Sequence, residues 1–165
     1  MKKYLFILIT LFVAGYLASK VQSSWGKVRV QSIKIPTQNG QWLVADLFKP
    51  VSANASNPSP LVIVVPGFQR SKETLSNISI ELSRRGIVTI AIDPYAQGLS
   101  SSSFSKRAAT KEGYGMFALV DYVYDTSILN YIDRDKIGVT GHSAGGLAAM
   151  RAAQHFGKLA NKNNT

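Results

Sequence analysis

Cysteine is absent from the 165 residues. That excludes a disulfide framework and a thiolate metal site. Histidine is nearly absent, with His142 and His155 the only two. There is no cluster of metal-ligating side chains and no glycine loop of the phosphate-cradling kind, so no cofactor is expected. Acidic residues are scarce: nine Asp and Glu face nineteen Lys and Arg, for a net charge of +10. A balance of that sign suits nucleic acid or an anionic membrane surface. Here the cations are scattered, with no long run and no aromatic interleaving, so nucleic-acid binding is not expected and a soluble basic surface is the plainer reading. Heptads and internal repeats are also missing. What remains is a chain long enough for one domain core, 45% apolar and 17% charged, hence globular.

The one long hydrophobic run lies at the start. Lys2 and Lys3 precede an uncharged, mostly apolar stretch from Tyr4 to Ser19, closed by Lys20. This is the charged and apolar layout of an export signal. It is slightly short for a spanning helix, which needs roughly 20 apolar residues. The pairs Val13/Gly15 and Leu17/Ser19 would serve as small-residue cleavage positions, but no A-x-A is present. Residues 1–22 are therefore read as a signal peptide or an N-terminal membrane anchor. The protein is expected to be exported, secreted or periplasmic, or held at a membrane.

Beyond the leader, the pattern alternates between strand and helix. "KVRVQSIKI" alternates polar and apolar residues as a half-buried strand does. The turn signal Asn39-Gly40 leads to "QWLVADLFKP", so the two strands are expected to pair as a hairpin. "LVIVV", "IVTIAIDP" and "KIGVTG" are β-branched runs of the kind buried on both faces of a parallel sheet. Between them, "KETLSNISIELSRRG" places Leu75, Ile78 and Leu82 at helical spacing. "EGYGMFALVDYVYD" does the same for Met116, Leu119, Val120 and Val123. "AGGLAAMRAAQHFGKLA" is an Ala-rich helix, and residues 161–165 read as a frayed polar tail. "YAQGLSSSSFSKR" is a Gly/Ser-rich loop long enough to be functional. The fold class is α/β: an N-terminal hairpin, then a mostly parallel sheet with flanking helices. Ligands of such sheets bind beyond the carboxyl ends of the strands.

At that edge stands "IGVTGHSAGG", residues 137–146. Gly141-His142-Ser143-Ala144-Gly145 fits G-x-S-x-G between a buried strand and a helix. A serine there sits on a sharp, strained turn that projects its Oγ above the sheet. Residues two before and two after it must be small, which Gly141 and Gly145 satisfy, and Gly146 extends the clearance. The positive end of the following helix favours an oxyanion. The competing reading is a glycine-rich turn with an idle serine.

With these motifs in view, the sequence resembles the α/β-hydrolase superfamily over most of residues 27–157. The resemblance runs through "NGQWLVADLFKP", through "PLVIVVPGFQRSKETLSNISIELSRRGIVTIAIDPYAQGLSS" and through "ALVDYVYDTSILNYIDRDKIGVTGHSAGG". The Pro-Gly-aromatic turn together with Gly-His-Ser-x-Gly-Gly is most similar to dienelactone-hydrolase-like and cutinase-like or polyester-hydrolase-like serine esterases. The resemblance implies carboxylic-ester hydrolysis by acyl transfer, on a small-molecule or polymeric ester. It implies Ser143 as nucleophile and the backbone N–H groups of Phe68 and Ala144 as oxyanion donors. The Phe68 ring would wall an acyl pocket.

The family's triad runs Ser, then Asp or Glu, then His along the chain. After Ser143 this sequence contains no Asp or Glu, and its only histidine is His155. On one helix, that separation is roughly 18 Å of rise, so His155 is expected near a helix C-terminus, facing its dipole. His142 is not expected to be the base. Asp93 is expected to cap a loop, Asp121 and Asp125 to lie on a helix, and Asp133 and Asp135 in a turn. Residues 27–160 are thus expected to be the N-terminal part of a hydrolase domain, a partial fold with later strands missing and an open strand edge that invites self-association. Alone, its serine would be a poor nucleophile. The alternative is a catalytically inactive, truncated domain that binds a ligand or partner.

Overall fold

The computed structural model describes residues 2–37, 40–102 and 113–163. Asn39 of the expected hairpin turn, residues 103–107 of the Ser-rich loop and Glu112 lie outside them. The apolar leader forms helix α1, Lys2–Gln22, with no buried residue. Its 21 residues rise ~32 Å at 1.5 Å per residue. The helix extends past the uncharged run of Tyr4 to Ser19, through Lys20 to Gln22, and is long and apolar enough to cross a membrane by length and composition.

The alternating stretch becomes β1, Val28–Pro36, paired antiparallel with β2, Trp42–Pro50. The Thr37 N–H donates to the Gln41 carbonyl at 2.9 Å, closing the hairpin. β3 (Ser59–Val65), β4 (Val88–Ile92) and β5 (Ile132–Gly141) complete a five-stranded sheet of order β1-β2-β4-β3-β5. β4 pairs parallel with β3, and β3 with β5, while β2 is antiparallel to β4. It follows that β1, β3, β4 and β5 run one way and β2 alone runs back. The start of β1 lies at the amino edge of the sheet. The carboxyl edge carries the turns after β3, β4 and β5.

Helix α2 (Ser76–Arg84), preceded by a 3-10 turn at Lys72–Leu75, covers one face. Helices α3 (Met116–Asp125) and α4 (Ala144–Asn163) cover the other. The main core joins Leu61, Ile63, Ile90 and Ile92 to Met116, Leu119 and Val123 as the helical spacing predicts. A smaller cluster of Val28, Phe48, Val64 and Ala91 lies under α2.

Four expectations change here. Ile78 is 40% exposed, and α2 turns Ser79 and Ser83 inward instead. The Ser83 hydroxyl donates to the Phe48 carbonyl at 3.1 Å and lies 3.3 Å from Thr89 Oγ1, so a small polar residue fits where the helix meets the sheet. β5 is half-exposed rather than buried, because it has one neighbour and forms the sheet's edge. It also starts earlier than its apolar run, so Asp133 and Asp135 lie within the strand rather than in a turn before it. Helix α4 runs through Asn163, into the segment expected to be a polar tail.

Candidate active site

β5 ends at Gly141 and α4 begins at Ala144, so His142 and Ser143 make the whole turn. Ser143 holds φ 54°, in the left-handed region. For a residue with a Cβ that conformation costs roughly 1–2 kcal/mol. The neighbours explain why the turn is so tight. A Cβ on Gly145 would overlap the carbonyl oxygens of Val65 and Pro66. One on Gly141 would overlap the Gly145 backbone and stand 2.7 Å from the Val65 oxygen. Gly146 is less confined, its nearest neighbour being the Gly141 oxygen at 3.3 Å. The absence of side chains lets the elbow press onto the end of β3. Hydrogen bonds fix it there: the His142 N–H donates to the Val65 carbonyl at 3.2 Å, and the Gly145 N–H to the His142 carbonyl at 2.9 Å.

The turn after β3 lies against this elbow. A Cβ on Gly67 would stand 3.3 Å from both Ser143 Cβ and His142 Nδ1. Phe68 follows, 65% exposed, and then Gln69 at φ 55°. The Phe68 ring stands exposed beside the elbow. The N–H groups of Phe68 and Ala144 have no intramolecular acceptor among the described residues. Ser143 and His142 are both exposed.

Sequence reasoning missed what holds the neighbouring loops. Asp93, fully buried at the end of β4, accepts the Lys72 N–H at 2.7 Å and the Leu99 N–H at 3.0 Å. Its own carbonyl accepts the Ser100 hydroxyl at 2.6 Å. Gly98 closes the loop at φ 52°, where a Cβ would overlap the Asp93 carboxylate. The expected loop-capping role of Asp93 thus extends to two loops, after β3 and after β4. The Lys72 ammonium, 6% exposed, lies 3.7 Å from Asp93, 3.9 Å from Asp46 and 2.5 Å from Glu73. Burial opposes its charge, but the hydrogen bond to Glu73 and the two aspartates outweigh it, and its pKa is raised. Glu73 is pulled down to about 2, chiefly by the Lys72 hydrogen bond. Asp46 is pushed up by burial, with Lys72 acting against that. A further link joins the loops, as the Arg70 N–H donates to Gln97 Oε1 at 3.0 Å. The legible signal was a Lys opening one helix and an Asp-Pro closing the next strand.

His155 does not join Ser143. It lies within α4, well before its end, so the expected helix-terminal role is corrected. Its ring stacks on Phe117 at 4.7 Å and meets Phe156 edge-on at 4.9 Å. Asp121 faces the same region. Its pKa is raised by burial and then by Asp125, with His155 opposing. Asp133 is engaged by Lys136 at 2.9 Å. The described residues contain no cluster of three or more His, Asp or Glu able to hold a metal.

A family model described as PET hydrolase-like matches residues 15–163. No curated protein matches. Among solved structures the chain is similar to Est1E from Butyrivibrio proteoclasticus, determined with ferulic acid bound. Identity is 28% and the TM-score 0.62, over 75% of this chain and 48% of that one. It is also similar to the Pyrococcus furiosus esterase PF2001, at 23% identity and TM-score 0.63 over 81% of this chain and 46% of that one. Acetyl xylan esterase 1 from Thermoanaerobacterium gives 18% and 0.59, over 77% and 44%. At those identities the last two show the fold. The chain spans less than half the length of each of these three structures.

Proposed function

The chain belongs to the PET hydrolase-like family, and from that premise we propose that it carries the nucleophile and oxyanion pocket of a serine ester hydrolase. In this reading Ser143 Oγ attacks the acyl carbonyl. Its proton passes to a base, and the carbonyl oxygen becomes an oxyanion held by the N–H groups of Phe68 and Ala144. The positive end of α4 adds to that field. Collapse of the tetrahedral intermediate expels the alcohol, which takes up the proton, and water then releases the acid. The observation that carries the reading is the φ of 54° at Ser143. A strained serine, pressed against β3 by two glycines that tolerate no side chain, is hard to explain as an ordinary turn.

The base and the acid of the triad are not supplied by the residues after Ser143. Without them, the oxyanion pocket and binding leave only residual catalysis. We therefore expect these 165 residues alone to hydrolyse esters very slowly. The substrate is proposed as a carboxylic ester. The ferulic acid on Est1E and the family's description favour an aromatic acyl group. The apolar leader α1 favours export or membrane anchoring.

A fluorophosphonate probe tests the assignment. Labelling of the folded chain that disappears in Ser143→Ala supports it. A folded, monodisperse chain that resists the probe at high concentration and long exposure favours the second reading, a ligand- or partner-binding domain.

A further inference from the structure

The two edges of the sheet differ in chemistry. Ser143 lies at the carboxyl edge. The chain enters the sheet at Val28, and the register Val28↔Pro50 together with the strand directions puts that entry at the amino edge. We propose that the amino edge, in the sector of β1, β2 and α2, seats on an anionic phospholipid bilayer with α1 in the hydrocarbon, so that Ser143 faces away from the lipid.

Four observations support this. First, α1 has no buried residue, and its apolar side chains are exposed on all sides. It is charged only at Lys2, Lys3 and Lys20, near its ends, and its ~32 Å length spans a hydrocarbon core of about 30 Å with those ammonium groups reaching the interfaces. Second, the helix exit is short and tied down. The Trp25 N–H donates to the Lys20 carbonyl at 2.6 Å and the Val28 N–H to the Ser23 carbonyl at 3.0 Å. Arg84 Nη2 donates to the Val21 carbonyl at 3.0 Å. The amino edge therefore cannot move far from wherever α1 ends. Third, Trp25 stands at that exit, 67% exposed. Exposed tryptophan beside an apolar helix is the residue of membrane interfaces. Fourth, Lys27, Arg29, Lys49, Arg84 and Arg85 gather in this sector, and Glu81 is the carboxylate paired with two of them. Arg29 and Lys49 are direct cross-strand partners. Like charges placed opposite each other disfavour a strand pair; the Lys49 ammonium is held 4.2 Å over the Tyr131 ring, and an anionic surface stabilises the exposed Arg29. Basic side chains beside a membrane helix are drawn to acidic headgroups, each by about fivefold in affinity.

The proposal requires α1 to be retained rather than cleaved. No part of it depends on ester hydrolysis. Because the chain has no cysteine, single labels are unambiguous. Ser56→Cys places a fluorophore on the turn between β2 and β3 at the amino edge. Leu99→Cys places one at the carboxyl edge. The full-length variants are mixed with vesicles of phosphatidylcholine, with or without phosphatidylglycerol, carrying a headgroup quencher. The expected result is co-flotation with the vesicles. The Ser56→Cys dye is quenched several-fold more in the acidic vesicles, the Leu99→Cys dye is unquenched in both, and high salt removes the difference. The combined Lys27→Glu, Arg29→Glu and Lys49→Glu variant loses the quenching while still floating. If that variant unfolds, the lipid and salt comparison decides alone. Co-flotation with both dyes equally remote, or quenching indifferent to lipid charge, overturns the seating. Failure to float overturns it at its first step.

Discussion

At the carboxyl edge of the sheet, two neighbouring pieces of structure are held in opposite ways. The elbow after β5 is held by the absence of side chains, since Gly141 and Gly145 let backbone press on the carbonyls of Val65 and Pro66. The loops after β3 and β4 are held by side chains that are charged and buried, with Asp93 between the Lys72 and Leu99 amides and the Lys72 ammonium among three carboxylates. Steric confinement fixes a backbone angle and needs no particular pH. Ionic confinement tolerates more geometry but depends on every partner keeping its charge. The difference suits the division of work proposed above. The reacting serine is held by the stiffer device, and the loops around its oxyanion turn by the adjustable one.

The comparison is broken most severely on the ionic side. Asp93→Ala removes one of the three carboxylates around the buried Lys72 ammonium and leaves two N–H groups without their acceptor. Breaking a buried pair in this way costs about 3–5 kcal/mol, which urea denaturation would read as a large drop in midpoint. On the steric side, Gly145→Ala puts a methyl group into two backbone oxygens. The expected loss is about 3 kcal/mol, the upper end for overpacking, with an equal loss at pH 5 and pH 8. A Gly145→Ala chain as stable as the parent would show that the elbow is not confined as described.

Ser143→Gly should move the other way. It releases the left-handed strain and stabilises the chain by about 1 kcal/mol. Ser143→Ala keeps the strain and should leave the midpoint nearly unchanged. The two substitutions abolish phosphonate labelling alike, so the gap between their melting points measures strain apart from chemistry.

Acid titration sharpens the ionic half. Glu73 falls from an ordinary 4.5 to about 2. A depressed carboxylate adds stability above its unfolded pKa and loses it as pH falls through the folded one. Between pH 4.5 and 2 the parent should therefore lose stability that Glu73→Gln does not have to lose. Since the Glu73 side chain is 61% exposed, solvent screening limits the effect to at most about 1 kcal/mol. Asp46, whose pKa is raised by burial, acts with the opposite sign and partly offsets it. The measurement is the difference in denaturation midpoint between parent and Glu73→Gln across that window.

Much of this architecture could be read from residues alone. The five strands stood out as β-branched runs or alternation, and the elbow as three small residues around a serine. The α3 face was found because Met116, Leu119, Val120 and Val123 are large, and burial follows size there. What escaped were features where tertiary partners outvote local pattern. Asp93 and Lys72 are charged residues placed inside by each other. His155 was assigned to a helix end because the helix continues on polar residues with no apolar stripe to announce it. β5 has the composition of a central strand and the position of an edge, and composition does not report the number of neighbours.

Helix α2 gives the smallest and cleanest test of that lesson. Its periodicity puts Ile78 inward, yet the structure exposes Ile78 and buries Ser79 and Ser83. If packing decides, Ile78→Ala changes stability by no more than ~0.5 kcal/mol, as surface substitutions do. Ser83→Leu must then push α2 off the sheet and leave the Phe48 carbonyl without its hydroxyl, so it should cost more than the loss of the isoleucine does. If Ile78→Ala proves the more damaging of the two, the helix sits in the register that its apolar spacing predicts. The smaller cluster of Val28, Phe48, Val64 and Ala91, against which Leu75 and Ile80 pack, would then be covered by Ile78 as well.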